Sequence, residues 1–222
     1  MSAADEGALR RGIVETACEM ERLGINQGTS GNVSARFSDG LLITPSGVPA
    51  RELNEENIVF LRLDVQNDDE VFRIARPSSE WRIHRDILRA RVDMNAVVHT
   101  HSTAATALAI QCRDISAVHY MVAAAGGRSI RCAPYAVFGS QRLSDHALSA
   151  LEGHRACLLA HHGVIALGDD LARALWLAHE VEVLAKQYLL ASQLGTPPVL
   201  SDEQMDEVLE KFKTYGRRNK QG

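Results

Sequence analysis

The stretch "AVVHTHSTAATALAI", residues 96–110, places two imidazoles at the end of an apolar run. Residues two apart on a β-strand project from the same face, so His99 and His101 point together while Thr100 points away between them. Their nitrogen lone pairs can then meet at one point. Just after them Ser102 or Thr103 is placed to cap a helix, so the stretch reads as strand, histidine pair, helix.

Working outward, the same alternation of strand and helix recurs. Leu9, Ile13, Ala17, Met20 and Leu23 fall at helical spacing within residues 6–23, and Gly24 is a stop signal. Val33–Phe37 and Leu41–Thr44 read as two strands joined by Ser-Asp-Gly, with Ile58–Leu63 and Val71–Ile74 as further strands. "EWRIHRDILRAR", residues 80–91, carries Trp81, His84, Ile87 and Leu88 on one helical face behind serine caps. "CLLAHHGVIALG", residues 157–168, reads as two short strands around a turn at His161–Gly163, where glycine lets the backbone reverse. Asp169 or Asp170 caps a long helix running to Gly195 ahead of Pro197 and Pro198, and a last amphipathic helix spans Asp202 to about Tyr215. With no repeat or low-complexity linker, residues 1–222 are expected to form a single α/β domain: a central, mostly antiparallel β-sheet flanked by helices, with a C-terminal helical tail.

Composition narrows the function. The 222 residues are 45% hydrophobic and 23% charged, enough apolar material for a substantial core. A formal net charge of −4 argues against a nucleic-acid partner, and "GRRNK" near the C-terminus is the one basic run. The N-terminal stretch lacks the basic start and apolar core of a secretory signal, and no apolar run is long enough to span a membrane. A cytoplasmic location is expected. Cys18, Cys112, Cys132 and Cys157 form no C-x-x-C pair and read as buried free thiols.

The chemistry gathers on the histidines. His161-His162-Gly163 offers a third imidazole beside His99 and His101, and three imidazoles with an open position suit a catalytic zinc. Glu80 reads equally as a carboxylate ligand or as a residue favoured by the helix dipole. "GTSGN" (28–32), "TPSG" (44–47) and "PSS" (77–79) offer backbone N–H groups and hydroxyls that can cradle a phosphate. The four lysines, Lys186, Lys211, Lys213 and Lys220, all lie on late helices or the tail. A Schiff-base lysine is therefore not expected, and carbonyl activation would fall to a metal.

"RLGINQGTSGNVSAR", "LLITPSGVP", "PSSEWRIHRD", "NAVVHTH", "AVHYMVAAAGG", "CAPYAVFG", "HHGVIA", "ALWLAHEVEVLA" and "VLEKFKTYG" occur in one unbroken order along the chain. Together they resemble the class II aldolase and adducin family. The resemblance implies one Zn2+ per subunit held by His99, His101 and His162, with Glu80 as a displaceable fourth ligand that then acts as base. It selects His162 over His161, which spacing does not. It implies a substrate phosphate among Thr29, Gly31, Asn32, Ser46, Gly47, Ser78 and Ser79, and an aldehyde pocket bounded by Phe138 and Tyr215. Tyr120 would protonate the aldehyde oxygen across a subunit interface of a homotetramer. The implied activity is cleavage of L-fuculose 1-phosphate to dihydroxyacetone phosphate and L-lactaldehyde through a metal-bound enediolate. His84, His119, His146, His154 and His179 have no such correspondence and read as structural or surface residues.

Two rival enzymes share this scaffold, a sugar-phosphate 4-epimerase and a methylthioribulose-phosphate dehydratase. The epimerases carry Asp in the place of Glu80, so "SSEW" favours the aldolase. A silent interaction module, as in the adducin head, is disfavoured by the presence of Glu80 and all three histidines.

Overall fold

The computed structural model describes residues 3–74 and 76–214. One mixed sheet organises them, with strands β1 (Asn32–Phe37), β2 (Gly40–Ile43), β3 (Val59–Arg62), β4 (Ala96–Thr100), β5 (Cys132–Ala133), β6 (Ala156–Leu159) and β7 (Gly163–Gly168). Their order across the sheet is β3-β2-β1-β4-β7-β6-β5. Every pair is antiparallel except β5 with β6, so the expected antiparallel character holds for all but one edge.

Helices α1 (Ala3–Arg22), α4 (Thr103–Ile110) and α6 (Leu171–Ser192) contribute to the core on one face of this sheet; α3 (Trp81–Ala90) and α5 (Gln141–Ala150) cover the other. Strand parity decides which side chain meets which layer. Val33, Ala35, Ala96 and Val98 join the first core, whereas Val97, Ile165 and Leu167 join the second. The same parity turns Asn32, Ser34 and His99 toward α3. Trp81 is fully buried there, its indole N–H donating to Asp68 Oδ1 at 3.2 Å.

Three local expectations need correction. Val71–Ile74 is not a strand but the end of helix α2 (Asp68–Ile74). Asn67 Oδ1 accepts from Glu70 N at 2.9 Å, and Asp68, Asp69 and Glu70 lie in the first turn, so capping and dipole outweigh four apolar-rich residues. The serines before α3 do not cap it: Glu80 occupies the cap position with no cap hydrogen bond from its side chain, which leaves that carboxylate for another task. Of the four free thiols only Cys157 is buried, while Cys18 and Cys112 are exposed and Cys132 is half-buried. Like Glu80, Ser102 takes the cap position of α4 without a side-chain cap hydrogen bond, whereas Asp170 caps α6 by accepting from Arg173 N at 2.7 Å and the last helix, α7, spans Asp202–Thr214. No helix among the described residues is long and apolar enough to cross a membrane.

Candidate metal centre

Central strand β4 pairs with β1 on one side and β7 on the other, and His99 lies opposite both Asn32 and Ile165. His101 follows immediately after β4. His162 arrives from the β6–β7 turn. That turn works differently from the expectation: His161, not Gly163, adopts the left-handed conformation, at φ 55°. Glycine is required at 163 for room, because a Cβ there would lie 2.3 Å from Thr100 O and 3.0 Å from His101 Cδ2. Any larger residue would push into the histidine cluster.

The three rings of His99, His101 and His162 stand 4.8–4.9 Å apart between centroids and 75–79° to one another. Glu80 closes the group, its Oε2 at 3.0 Å from His99 Nε2 and its Oε1 at 3.2 Å from His162 Nε2. One ligand atom from each of these four residues lies within 4.8 Å of all the others. This donor set fits a single ion. His99 Nδ1 is 2.8 Å from Val164 O, which places its proton on Nδ1 and leaves the Nε2 lone pair facing inward. His99 Nε2 and His101 Nε2 approach to 3.0 Å, and the buried Glu80 Oε1 has no hydrogen-bond partner.

The electrostatics couple the carboxylate to the imidazoles around it. Burial by itself would raise the Glu80 carboxyl, but His99, His162 and the Asn32 amide outweigh it and hold Glu80 well below the usual carboxylate range. Burial, together with the charge of His99, lowers His101 and His162 to about 4, leaving both rings neutral and able to ligate near neutral pH. Burial opposes the protonated form of His99, and the Glu80 charge reverses this and raises it.

Beside the cluster lies a cavity of about 340 Å³. Its wall includes every residue expected to meet a phosphate: Thr29, Gly31, Asn32, Ser46, Gly47, Ser78 and Ser79. Three loops distant in sequence become one rim, and two of them are joined backbone to backbone. Ser78 N donates to Thr44 O at 2.9 Å, and Ser46 N donates to Arg76 O at 3.2 Å. Gly31, at φ 65°, has no space for a side chain, since a Cβ would lie 2.6 Å from both His99 O and Asn26 Oδ1. The first loop is thereby pressed against the histidine strand.

Phe138 also lines the cavity although it is 66% exposed. Tyr120 does not line it: this residue is half-exposed at the start of a short 3-10 helix, Tyr120–Ala125, against the His119 ring. Tyr215 lies outside the described residues. The sequence reading missed Tyr135 and His161, which line the cavity and face each other edge to face at 6.0 Å. The doubled histidine was the signal for His161; nothing marked Tyr135.

A family model, the class II aldolase and adducin N-terminal domain, matches residues 11–189. The chain belongs to the class II aldolase and adducin family. Among this family's members, it is 54% identical over 215 residues to the L-fuculose phosphate aldolase of Escherichia coli K12, covering 96% of this chain and 98% of the relative. It is 53% identical over 209 residues to a 5-methylthioribulose-1-phosphate/5-deoxyribulose-1-phosphate aldolase of Rhodospirillum rubrum, covering 94% and 93% of the two chains. A solved L-fuculose 1-phosphate aldolase superposes with a TM-score of 0.87 at 36% identity, covering 96% of this chain and 98% of the other.

Proposed function

We propose that the protein is a zinc-dependent aldolase that cleaves a ketose 1-phosphate, L-fuculose 1-phosphate foremost, into dihydroxyacetone phosphate and L-lactaldehyde. The observation that carries the reading is the meeting of Glu80 with three imidazoles beside a cavity rimmed by small polar loops. Relatives at 54% identity over nearly the whole chain supply the substrate class.

His99, His101 and His162 would hold the ion, with Glu80 as the fourth ligand. The ion supplies Lewis-acid polarisation of the substrate carbonyl, which acidifies the neighbouring C–H. Glu80 then serves as base: its Oε1, free of hydrogen bonds, is the atom available to take the proton. Backbone N–H groups and hydroxyls at Thr29, Gly31, Ser46, Gly47, Ser78 and Ser79, with the Asn32 amide, bind the phosphate and fix the reacting carbons relative to that carboxylate. Phe138 bounds the aldehyde side, and Tyr215 of the tail completes it.

Tyr120 would donate the proton to the aldehyde oxygen in the site of an adjoining subunit of a homotetramer. Its exposure, and its place outside its own chain's cavity, support that assignment. Residues 1–222 would act as one cytoplasmic domain, each holding one zinc ion.

A second reading is specific. The Rhodospirillum relative favours 5-methylthioribulose 1-phosphate as the sugar, cleaved by an aldolase rather than lost to a dehydratase. Both substrates release dihydroxyacetone phosphate, so a panel scored for that product decides. Cleavage of L-fuculose 1-phosphate with the higher kcat/KM, abolished by a chelator and restored by zinc, is expected. A preference for the methylthio sugar would reassign the substrate, and full activity in metal-free protein would overturn the mechanism.

A further inference from the structure

Glu80 and His84 are one helical turn apart, so they share a face of α3. Asn32 and Ser34 are two apart on β1, so they share a face of that strand. These two faces meet, and all four residues are buried. Asn32 Nδ2 donates to Glu80 Oε2 at 3.1 Å, His84 Nε2 contacts Asn32 Oδ1, and Ser34 Oγ lies 2.7 Å from His84 Nδ1.

The donors in this chain can run in one direction only. A carboxylate accepts, so the Asn32 NH2 must face Glu80 and the Asn32 carbonyl must face His84. His84 therefore carries its proton on Nε2. In the neutral ring Nδ1 then accepts, so the Ser34 hydroxyl donates to it. Burial lowers His84 to about 3, with the His99 charge adding to the effect, so the ring is neutral under ordinary conditions. An amide flip at Asn32 would set its carbonyl against Glu80 Oε2 and its NH2 against a donor. The Glu80 carboxylate opposes that flip, and the His84 Nε2–H, donating to the Asn32 carbonyl, anchors the other end of the amide in the same orientation.

We infer that His84, backed by Ser34, is a positioning residue: it orients the Asn32 amide so that Glu80 Oε2 is held by an N–H while Oε1 is left free toward the histidines. The second N–H of Asn32 remains for the cavity, which this residue also lines. One amide thus links the phosphate end of the site to the base. The inference rests on the aldolase reading for its kinetic consequences, but not for its effect on the metal ligand Glu80.

Two variants separate positioning from bulk. His84→Gln keeps a side-chain N–H near the place of Nε2, whereas His84→Asn is too short to reach Asn32. Zinc affinity, measured by competition with a chelating dye, should fall roughly tenfold or more in His84→Asn, the usual cost of removing an outer hydrogen-bond partner. The kcat for cleavage should fall similarly, with KM changing less. His84→Gln should recover most of whichever is lost. A loss that His84→Gln restores supports the inference. No loss in folded His84→Asn, or a loss that His84→Gln does not restore, overturns it. If wild-type protein cleaves no ketose 1-phosphate, the function proposed above fails while the zinc measurement still decides this point. If His84→Asn does not fold, Ser34→Ala takes its place: a severalfold loss of zinc affinity is expected, and unchanged affinity overturns the inference.

Discussion

Two glutamates lie buried at the N-termini of two helices, and they do opposite things. Glu182 reaches from α6 to the start of α4, where it accepts from Ala104 N at 3.0 Å and Ala105 N at 2.9 Å, with Lys186 Nζ 3.5 Å away. Both its oxygens are occupied by backbone donors. Glu80 sits at the cap of α3 yet caps nothing; one oxygen takes the Asn32 amide and the other has no hydrogen bond. A carboxylate saturated by backbone N–H groups holds a fold together. One left half-satisfied among imidazoles is held ready for a cation, and the surrounding structure bears the desolvation cost.

The largest expected effect tests the Glu80 end. Glu80→Gln keeps the shape but removes the carboxylate proposed as base, so cleavage and solvent hydrogen exchange into dihydroxyacetone phosphate should both fall by about 10³-fold. Tyr120→Phe should lose cleavage while retaining the exchange, since enolisation needs no proton on the aldehyde oxygen. Exchange at the wild-type rate in Glu80→Gln would remove Glu80 from the role of base and erase the contrast with Glu182.

At the Glu182 end the expected loss is of stability. Glu182→Ala leaves two helix N–H groups without their charged acceptor, at a cost of about 2–3 kcal/mol. Urea unfolding would show this, while kcat of the folded protein should change less than tenfold. An activity loss as large as that of Glu80→Gln would mean that both carboxylates serve the chemistry.

Acid distinguishes the ends more gently, because the Glu80 end is tied to a buried neutral histidine. His84 titrates near 3 in the folded protein and near its ordinary 6.5 when unfolded, so between these values the unfolded chain binds the extra proton. The His84 contribution to stability therefore falls as pH drops from 6.5 toward 3. In metal-free protein, wild type should lose about 1.2 kcal/mol more than His84→Gln between pH 6 and pH 5. Equal losses in urea melts at the two pH values would show that the ring is already charged or exposed.

Much of this was legible in the residues. Period-two alternation placed His99 and His101 on one face, Gly24 and Asp170 marked helix ends, and the scarcity of lysine directed carbonyl chemistry to a metal. Each is a local signal, carried by neighbours a few positions apart. Where local signals compete, the reading failed: Asn67 and three acids made a helix of Val71–Ile74, and solvent rather than hydrophobicity received Cys18 and Cys112.

Whether Glu80 was a helix residue or a ligand could not be settled from its own surroundings, because the dipole favours an acid there in either case. The fold brings β1, β4 and the β6–β7 turn to one point, so that Asn32, His99 and His162 all reach the same carboxylate. The fold also gives His84 its place, through Ser34 and Asn32, fifty residues away in sequence. Spacing along the chain determines which face a side chain takes. Only the packing of α3 on the sheet determines what waits on that face, since hydrogen bonds and ligand geometry depend on distances between elements that no local pattern encodes.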